Sequence, residues 1–167
     1  MVLLQADEIF ACLESHGVRY VVIGGLAAVL HGSPLATFDA DICPKADENN
    51  RERLAAALRE MDARIRTPDV PEGVRFACDA AFLARTSILN LVTRFGELDI
   101  SFTPSGTTGY EDLDAGAAPM KIGGLSIRVA ALADVIRSKE AANRPKDQRA
   151  LPLLRRLLEE TRKGTKP

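Results

Sequence analysis

The sequence predicts a mixed α/β domain in which helices at both ends flank about five short strands, and three observations carry that reading. Apolar residues recur at helical spacing near the N-terminus and again across residues 131–162. Between these stretches, short β-branched runs end at glycine or proline. The length, 167 residues, suits one domain or one domain with a small appendage.

From Gln5 to His16, Ile9, Phe10 and Leu13 share a helical face, and Gly17 ends the pattern. Arg19 to Ile23 is an apolar, β-branched run closed by Gly24-Gly25, as expected of a buried strand entering a tight turn. Leu26 to Leu30 then forms a short helix that stops at Gly32 and Pro34. Thr37 to Cys43 alternates Phe38, Ala40 and Ile42 with Asp39 and Asp41, the period of a strand ending at Pro44. Asp47 caps an amphipathic helix running to Met61. Residues 64–80, with Pro68, Pro71 and Gly73, read as a flexible loop.

Ser87 to Arg94 and Glu97 to Phe102 are strand-like runs about Phe95-Gly96, a hairpin that puts Asp99 in its second strand. Gly106 to Ala118 is loop or short helix, and Gly123-Gly124 turns a further small hairpin between Met120–Ile122 and Leu125–Val129. Two helices follow, Ala131–Asn143 and Lys146–Arg162, broken at Arg144-Pro145, with a kink expected at Pro152 and a frayed tail over 163–167.

Composition narrows the function classes. Hydrophobic residues make up 46% and charged residues 27%, enough for both a core and solubility. No apolar run approaches the roughly 18 residues of a membrane span, and the acids near the start do not suit a secretion signal, so a cytoplasmic protein with no membrane partner is expected. Cys12, Cys43 and Cys78 are too few and too scattered for a disulfide framework, and with only His16 and His31 beside them a structural zinc site lacks clustered ligands. The net charge of −1 conceals an acidic body and a basic end: residues 137–167 hold ten Lys/Arg and four Asp/Glu, and residues 1–136 hold twelve and nineteen. That basic end is either a solvated helix face or a contact for a polyanion.

The chemistry centres on the acids. Asp39 and Asp41 leave one face of one strand, roughly 6.5–7 Å apart at the backbone. Such a pair repels itself unless solvent, a partner or a divalent cation neutralises it, and Mg²⁺ takes one or two carboxylates together with water and phosphate oxygens. If the strand of Asp99 lies beside that of Asp39 and Asp41, three acids converge. Gly24-Gly25 offers bare backbone N–H groups at a helix start, where a phosphate is favoured; standing alone it is only a tight turn. Ser33 and Thr37 either bond a phosphate or satisfy backbone. His31 at a helix end reads as a local hydrogen-bonding group. Lys139 is either a phosphate ligand or part of a solvated helix face. With two Tyr and no Trp, there is little surface for stacking on bases.

The stretch VVIGGLAAVLHGSPLATFDADI resembles the signature of the nucleotidyltransferase superfamily, whose fold is shared with DNA polymerase beta. TRFGELDIS and ALADVIRSKEAANRPKDQRALPLL resemble, more narrowly, the small nucleotidyltransferases related to abortive-infection (AbiEii-type) toxins. The likeness spans roughly residues 18–158, with its three blocks in order. It implies a mixed twisted sheet of the polymerase-beta-like fold, a catalytic core over residues 1–130 and C-terminal helices over 131–162.

Residue by residue, the resemblance implies that Asp39 and Asp41 bridge the metals and that Asp99 is the third acid, which helps activate the acceptor hydroxyl. Gly24 and Gly25 then hold the triphosphate, Lys139 approaches its phosphates and Asp147 has a structural role; Ser33 and Thr37 are counted with the nucleotide site on their own hydroxyl chemistry, not on the resemblance. Many relatives carry an arginine where this chain has Leu35, a departure that bears on phosphate binding or substrate rather than on the metals. The implied reaction is Mg²⁺-dependent, with Mn²⁺ an alternative: transfer of a nucleoside monophosphate from an NTP, such as ATP, to an acceptor hydroxyl. The acceptor would be RNA such as a tRNA 3′ end, or a protein, with a cognate antitoxin as partner. The alternatives are a small-molecule, aminoglycoside-type nucleotidyltransferase and a non-catalytic nucleotide-binding module, which the missing arginine favours.

Overall fold

The computed structural model describes residues 2–164. Helix α1 (Ala6–Ser15) leads into strand β1 (Tyr20–Ile23), helix α2 (Gly24–Leu30) and strand β2 (Asp39–Pro44). Helix α3 (Glu48–Glu60) follows, capped by the Asp47 carboxylate, which accepts from the Asn50 N–H at 2.8 Å. Then come β3 (Arg64–Thr67), β4 (Val70–Val74), α4 (Ala80–Ala84), β5 (Ile88–Thr93) and β6 (Gly96–Ser101). The chain ends with α5 (Tyr110–Gly116), β7 (Ala118–Ile122), β8 (Leu125–Val129), α6 (Leu132–Ala142) and α7 (Pro145–Gly164).

Eight strands form one sheet in the order β4-β3-β5-β6-β2-β1-β8-β7. The expected count of about five was low. The main reason is residues 64–80, read as a loop from their prolines but folded as the β3–β4 hairpin and the start of α4. Pro71 lies in β4, the edge strand, where a missing N–H costs no ladder bond on the open side. Helix α4 begins at a second acidic cap, Asp79, which accepts from the Phe82 N–H at 2.7 Å.

The two central strands, β2 and β6, run parallel, with Asp39 opposite Glu97, Ala40 opposite Leu98, Asp41 opposite Asp99 and Ile42 opposite Ile100. Alternation then sorts the side chains: Ala40, Ile42, Leu98 and Ile100 are buried in the core, and the four acids share the other face. On the core side Ile9, Phe10 and Leu13 of α1 meet Leu54 and Leu58 of α3 in one apolar cluster with the strands. Helix α2 packs on β1, β2 and α6, and α6 packs on α7.

Asn143, in the left-handed conformation, closes α6, and Pro145 opens α7 at a first position that needs no N–H donor. Pro152 sits inside α7, which continues through it as one helix to Gly164. Of the expected frayed tail, Lys163 and Gly164 are helical, and 165–167 lie outside the described residues. No helix among the described residues is long and apolar enough to cross a membrane.

Candidate active site

The parallel register of β2 and β6 brings Asp39, Asp41 and Asp99 together, with a carboxylate oxygen from each lying within 4.8 Å of the others. Hard oxygen donors in such a group suit Mg²⁺ or Mn²⁺. All three are half-buried. Burial, followed by the charges of Asp39 and Asp99, pushes the Asp41 carboxyl from 3.8 up to about 7, against the pull of Lys146 and a hydrogen bond from the Gly25 backbone. Burial also raises Asp99, opposed first by the Arg66 guanidinium. A cluster so enclosed and so repelled is one that a divalent cation would relieve.

The shift on Asp41 has a sign that can be checked. In the metal-free folded protein the carboxyl holds its proton more tightly than in the unfolded chain. Folding stability therefore falls as pH rises from about 4 to about 7. In EDTA the melting temperature of the native chain is expected to drop across that window by more than that of Asp41→Asn, which has no proton to release there. Equal slopes would exclude this origin.

The turn between β1 and α2 is built against the same acid. Gly24 has φ +65°, and a Cβ there would sit 2.4 Å from Asp41 Oδ2. The contact leaves room only for glycine. Gly24→Ala is expected to cost about 1–2 kcal/mol in left-handed backbone alone and to displace the Asp41 carboxylate; thermal unfolding together with Mn²⁺ titration would register both losses. A Cβ on Gly25 would meet Thr37 Oγ1 at 2.8 Å, and that hydroxyl donates to Asp39 Oδ1 at 3.0 Å.

Two cavities border the acids and share Gly24, Asp41, Asp99, Lys139 and Arg144 in their walls. One, of about 370 Å³, adds Gly25, Ser33, Thr37 and Lys146. Its basic residues come from α6, α7 and the link between them, in a wall where Leu35 brings no charge. The other, of about 320 Å³, is walled partly by Asn90, Ser101 and Ser105 and reaches Asp134 and Ser138 of α6. Volumes near 300 Å³ are at the lower end of small-molecule sites.

No protein-family model matches the chain, and no curated protein matches its sequence. Solved structures do match. The chain is similar to the lincosamide antibiotic adenylyltransferase LnuA in its lincomycin-bound form, at 16% identity and a TM-score of 0.59, over 93% of this chain and 99% of that one. It is similar to the antibiotic-resistance factor ANT(2'')-Ia at 15% identity and a TM-score of 0.54, over 94% and 89% of the two chains. A proposed nucleotidyltransferase of Thermotoga maritima, TM1012, aligns at 19% identity and a TM-score of 0.50, over 95% and 97%. The fold is that of the nucleotidyltransferases.

Within this nucleotidyltransferase fold the other candidate residues are each engaged. Ser33 is buried and its hydroxyl accepts from the Leu35 N–H at 3.3 Å. Lys139 Nζ lies 3.3 Å from the Asp147 carboxylate. Asp147, fully enclosed, also accepts from Arg144 Nε at 2.7 Å and from the Arg144 backbone N–H at 3.2 Å, tying the start of α7 to α6. Burial works against its charge, yet Arg144 and Lys139 hold its carboxyl below the usual range. His31 Nε2 donates to the Ala130 carbonyl at 2.8 Å, linking α2 to the end of β8.

Three site neighbours escaped the sequence reading. Arg66 bonds both oxygens of Asp99 and pairs with Glu97, and Asn90 stands opposite Asp99 in the β5–β6 ladder. Arg66 was hidden in the supposed loop; the predicted β5–β6 hairpin held the signal for Asn90 and Glu97. Away from the site, Cys12, His16 and Glu60 come together across α1 and α3, with His16 Nε2 at 2.6 Å from Glu60 Oε2. These three donors do not make the four-ligand set of a structural zinc. All three cysteines are free.

Proposed function

We propose that this chain transfers a nucleoside monophosphate from an NTP to an acceptor hydroxyl, releasing pyrophosphate. The observation supporting it is the meeting of three carboxylates where two cavities join, one lined by Lys139, Arg144 and Lys146 and the other by Lys139, Arg144 and Asp134. In this reading Asp39 and Asp41 hold Mg²⁺ or Mn²⁺, and Asp99 completes the ligands on the acceptor side. Bound there, divalent ions neutralise phosphate charge and lower the pKa of the attacking hydroxyl.

The chain's own residues do the rest. Gly24 and Gly25 let the phosphates approach the backbone, and Lys139 with Lys146 supplies the positive charge that Leu35 does not. Ser33 and Thr37 line the same wall. Asp99, in the walls of both cavities, orients the acceptor hydroxyl and takes its proton. Asp147 fixes Lys139 and Arg144 where both cavities meet.

For the acceptor, the exposed basic surface of α7, including Lys146, Arg149 and Arg156, supports an RNA such as a tRNA 3′ end. A protein hydroxyl and a toxin role with a cognate antitoxin belong to the same reading. A second reading, a small hydroxylated molecule, is favoured by the small cavity that Asn90, Ser101 and Ser105 line beside Asp99 and by the likeness to LnuA, which is described with lincomycin bound. Incubation with each of four labelled NTPs in Mg²⁺ or Mn²⁺ separates the two, using tRNA, a protein extract, and lincosamide and aminoglycoside panels as acceptors. Label on RNA or protein supports the first and label only on a drug the second. No transfer to any acceptor, with nucleotide still bound, would leave a binding module.

A further inference from the structure

Asp41, Asp99 and Asn90 lie in one row across β2, β6 and β5. The β3–β5 ladder sets Arg64 opposite Val92 and Ile65 opposite Leu91, so one step further Arg66 continues the row. From there its Nη2 bonds both Asp99 oxygens, at 2.8 and 3.0 Å, and its Nη1 pairs with Glu97. Among the described residues, Arg66 is the cation whose ion pairs reach the acidic trio, whereas Lys139 and Arg144 are paired with Asp147.

We propose that Arg66 is the resident counter-ion of the acidic cluster: it holds Asp99 by both oxygens until a divalent cation takes one of them, and Glu97 keeps the guanidinium beside the site after the exchange. This rests on the proposed metal-dependent reading and adds to it a positioning residue. The physics is direct. Carboxylates crowded on one face repel, and a guanidinium among them offsets that repulsion. A divalent ion needs the same oxygen lone pairs at roughly 2 Å and brings its own charge toward the guanidinium. Arg66 therefore stabilises the metal-free protein and weakens its hold on the ion. Two anchors matter, because an arginine bound only to Asp99 would be lost to solvent when the ion arrived.

The test compares the native chain, Arg66→Gln, Arg66→Lys and Asp41→Asn by Mn²⁺ binding calorimetry and by melting in EDTA. Arg66→Gln is expected to bind Mn²⁺ about tenfold more tightly, from removal of one positive charge near the ion, and to melt about 2–4 °C lower without metal. Arg66→Lys keeps the charge and should stay within about threefold of the native affinity. A purely structural arginine would lower the melting temperature without tightening Mn²⁺ binding. That result, or unchanged melting and binding in Arg66→Gln, overturns the proposal while leaving the metal site intact. If the native chain binds no Mn²⁺ beyond what Asp41→Asn binds, the metal-site reading fails and the counter-ion falls with it.

Discussion

Asp41→Ala is expected to lower nucleotidyl transfer by about 10³-fold or more, equivalent to roughly 4 kcal/mol of transition-state stabilisation, while making the metal-free protein more stable. The two signs have one cause. The Asp41 carboxylate is half-buried beside Asp39 and Asp99, an arrangement that is unfavourable without a cation and, in the proposed reading, useful with one. Removing it relieves the repulsion and removes a proposed metal ligand together. Functional sites often trade stability for chemistry in this way. Transfer assays at saturating NTP and Mg²⁺, paired with urea unfolding in EDTA, measure both signs on the same preparation. A variant that keeps transfer within tenfold of the native rate would end the assignment of Asp41 as a metal ligand.

Asp147→Ala is expected to destabilise the fold by about 3–5 kcal/mol, the range for removing one partner of a buried ion pair. Asp147 is fully enclosed and answers two cations and a backbone N–H. The acid sits three residues after Arg144 and reaches back to its N–H, one half of a capping box, while its other contact crosses to α6. Arg144 is largely exposed and returns to water, but Lys139 is enclosed and loses its compensating charge. Asp147→Asn keeps an acceptor for the backbone and should cost about half as much. Because Arg144 and Lys139 hold the carboxyl below its ordinary range, its stabilisation is present above that range and is lost as pH falls through the lowered value. A loss below about 1 kcal/mol in urea titration of Asp147→Ala would contradict this role for the pair.

Much of the site was legible because it depends on local signals. The Gly24-Gly25 turn, the alternation through Asp39 and Asp41, and the hairpin about Phe95-Gly96 each follow from rules spanning a few residues. What they left open was which strand lies beside which, and the parallel pairing of β2 with β6 supplies that answer. The β3–β4 hairpin was illegible for a physical reason. Pro68, Pro71 and Gly73 normally interrupt strands, but here they occupy a turn and an edge where no ladder bond is forfeited. Missing that hairpin also concealed Arg66, whose reach to Asp99 exists only because β3 is part of the sheet. Leu35 read as a lost charge. Its cavity takes its cations from α6, α7 and their link, contributions that no local motif around the glycines could reveal.

Because β2 and β6 are adjacent in space but separated in the chain by α3, a hairpin, α4 and β5, the acidic centre has a history during synthesis. A nascent chain that has emerged only as far as Pro44 carries Asp39 and Asp41 with no neighbouring strand to align them against Asp99. The ribosome must deliver residue 101 before the third carboxylate can dock. The full repulsion of the three acids is thus deferred until the sheet's middle has formed, and the proposed capture of an ion would mark a chain that has folded at least through β6.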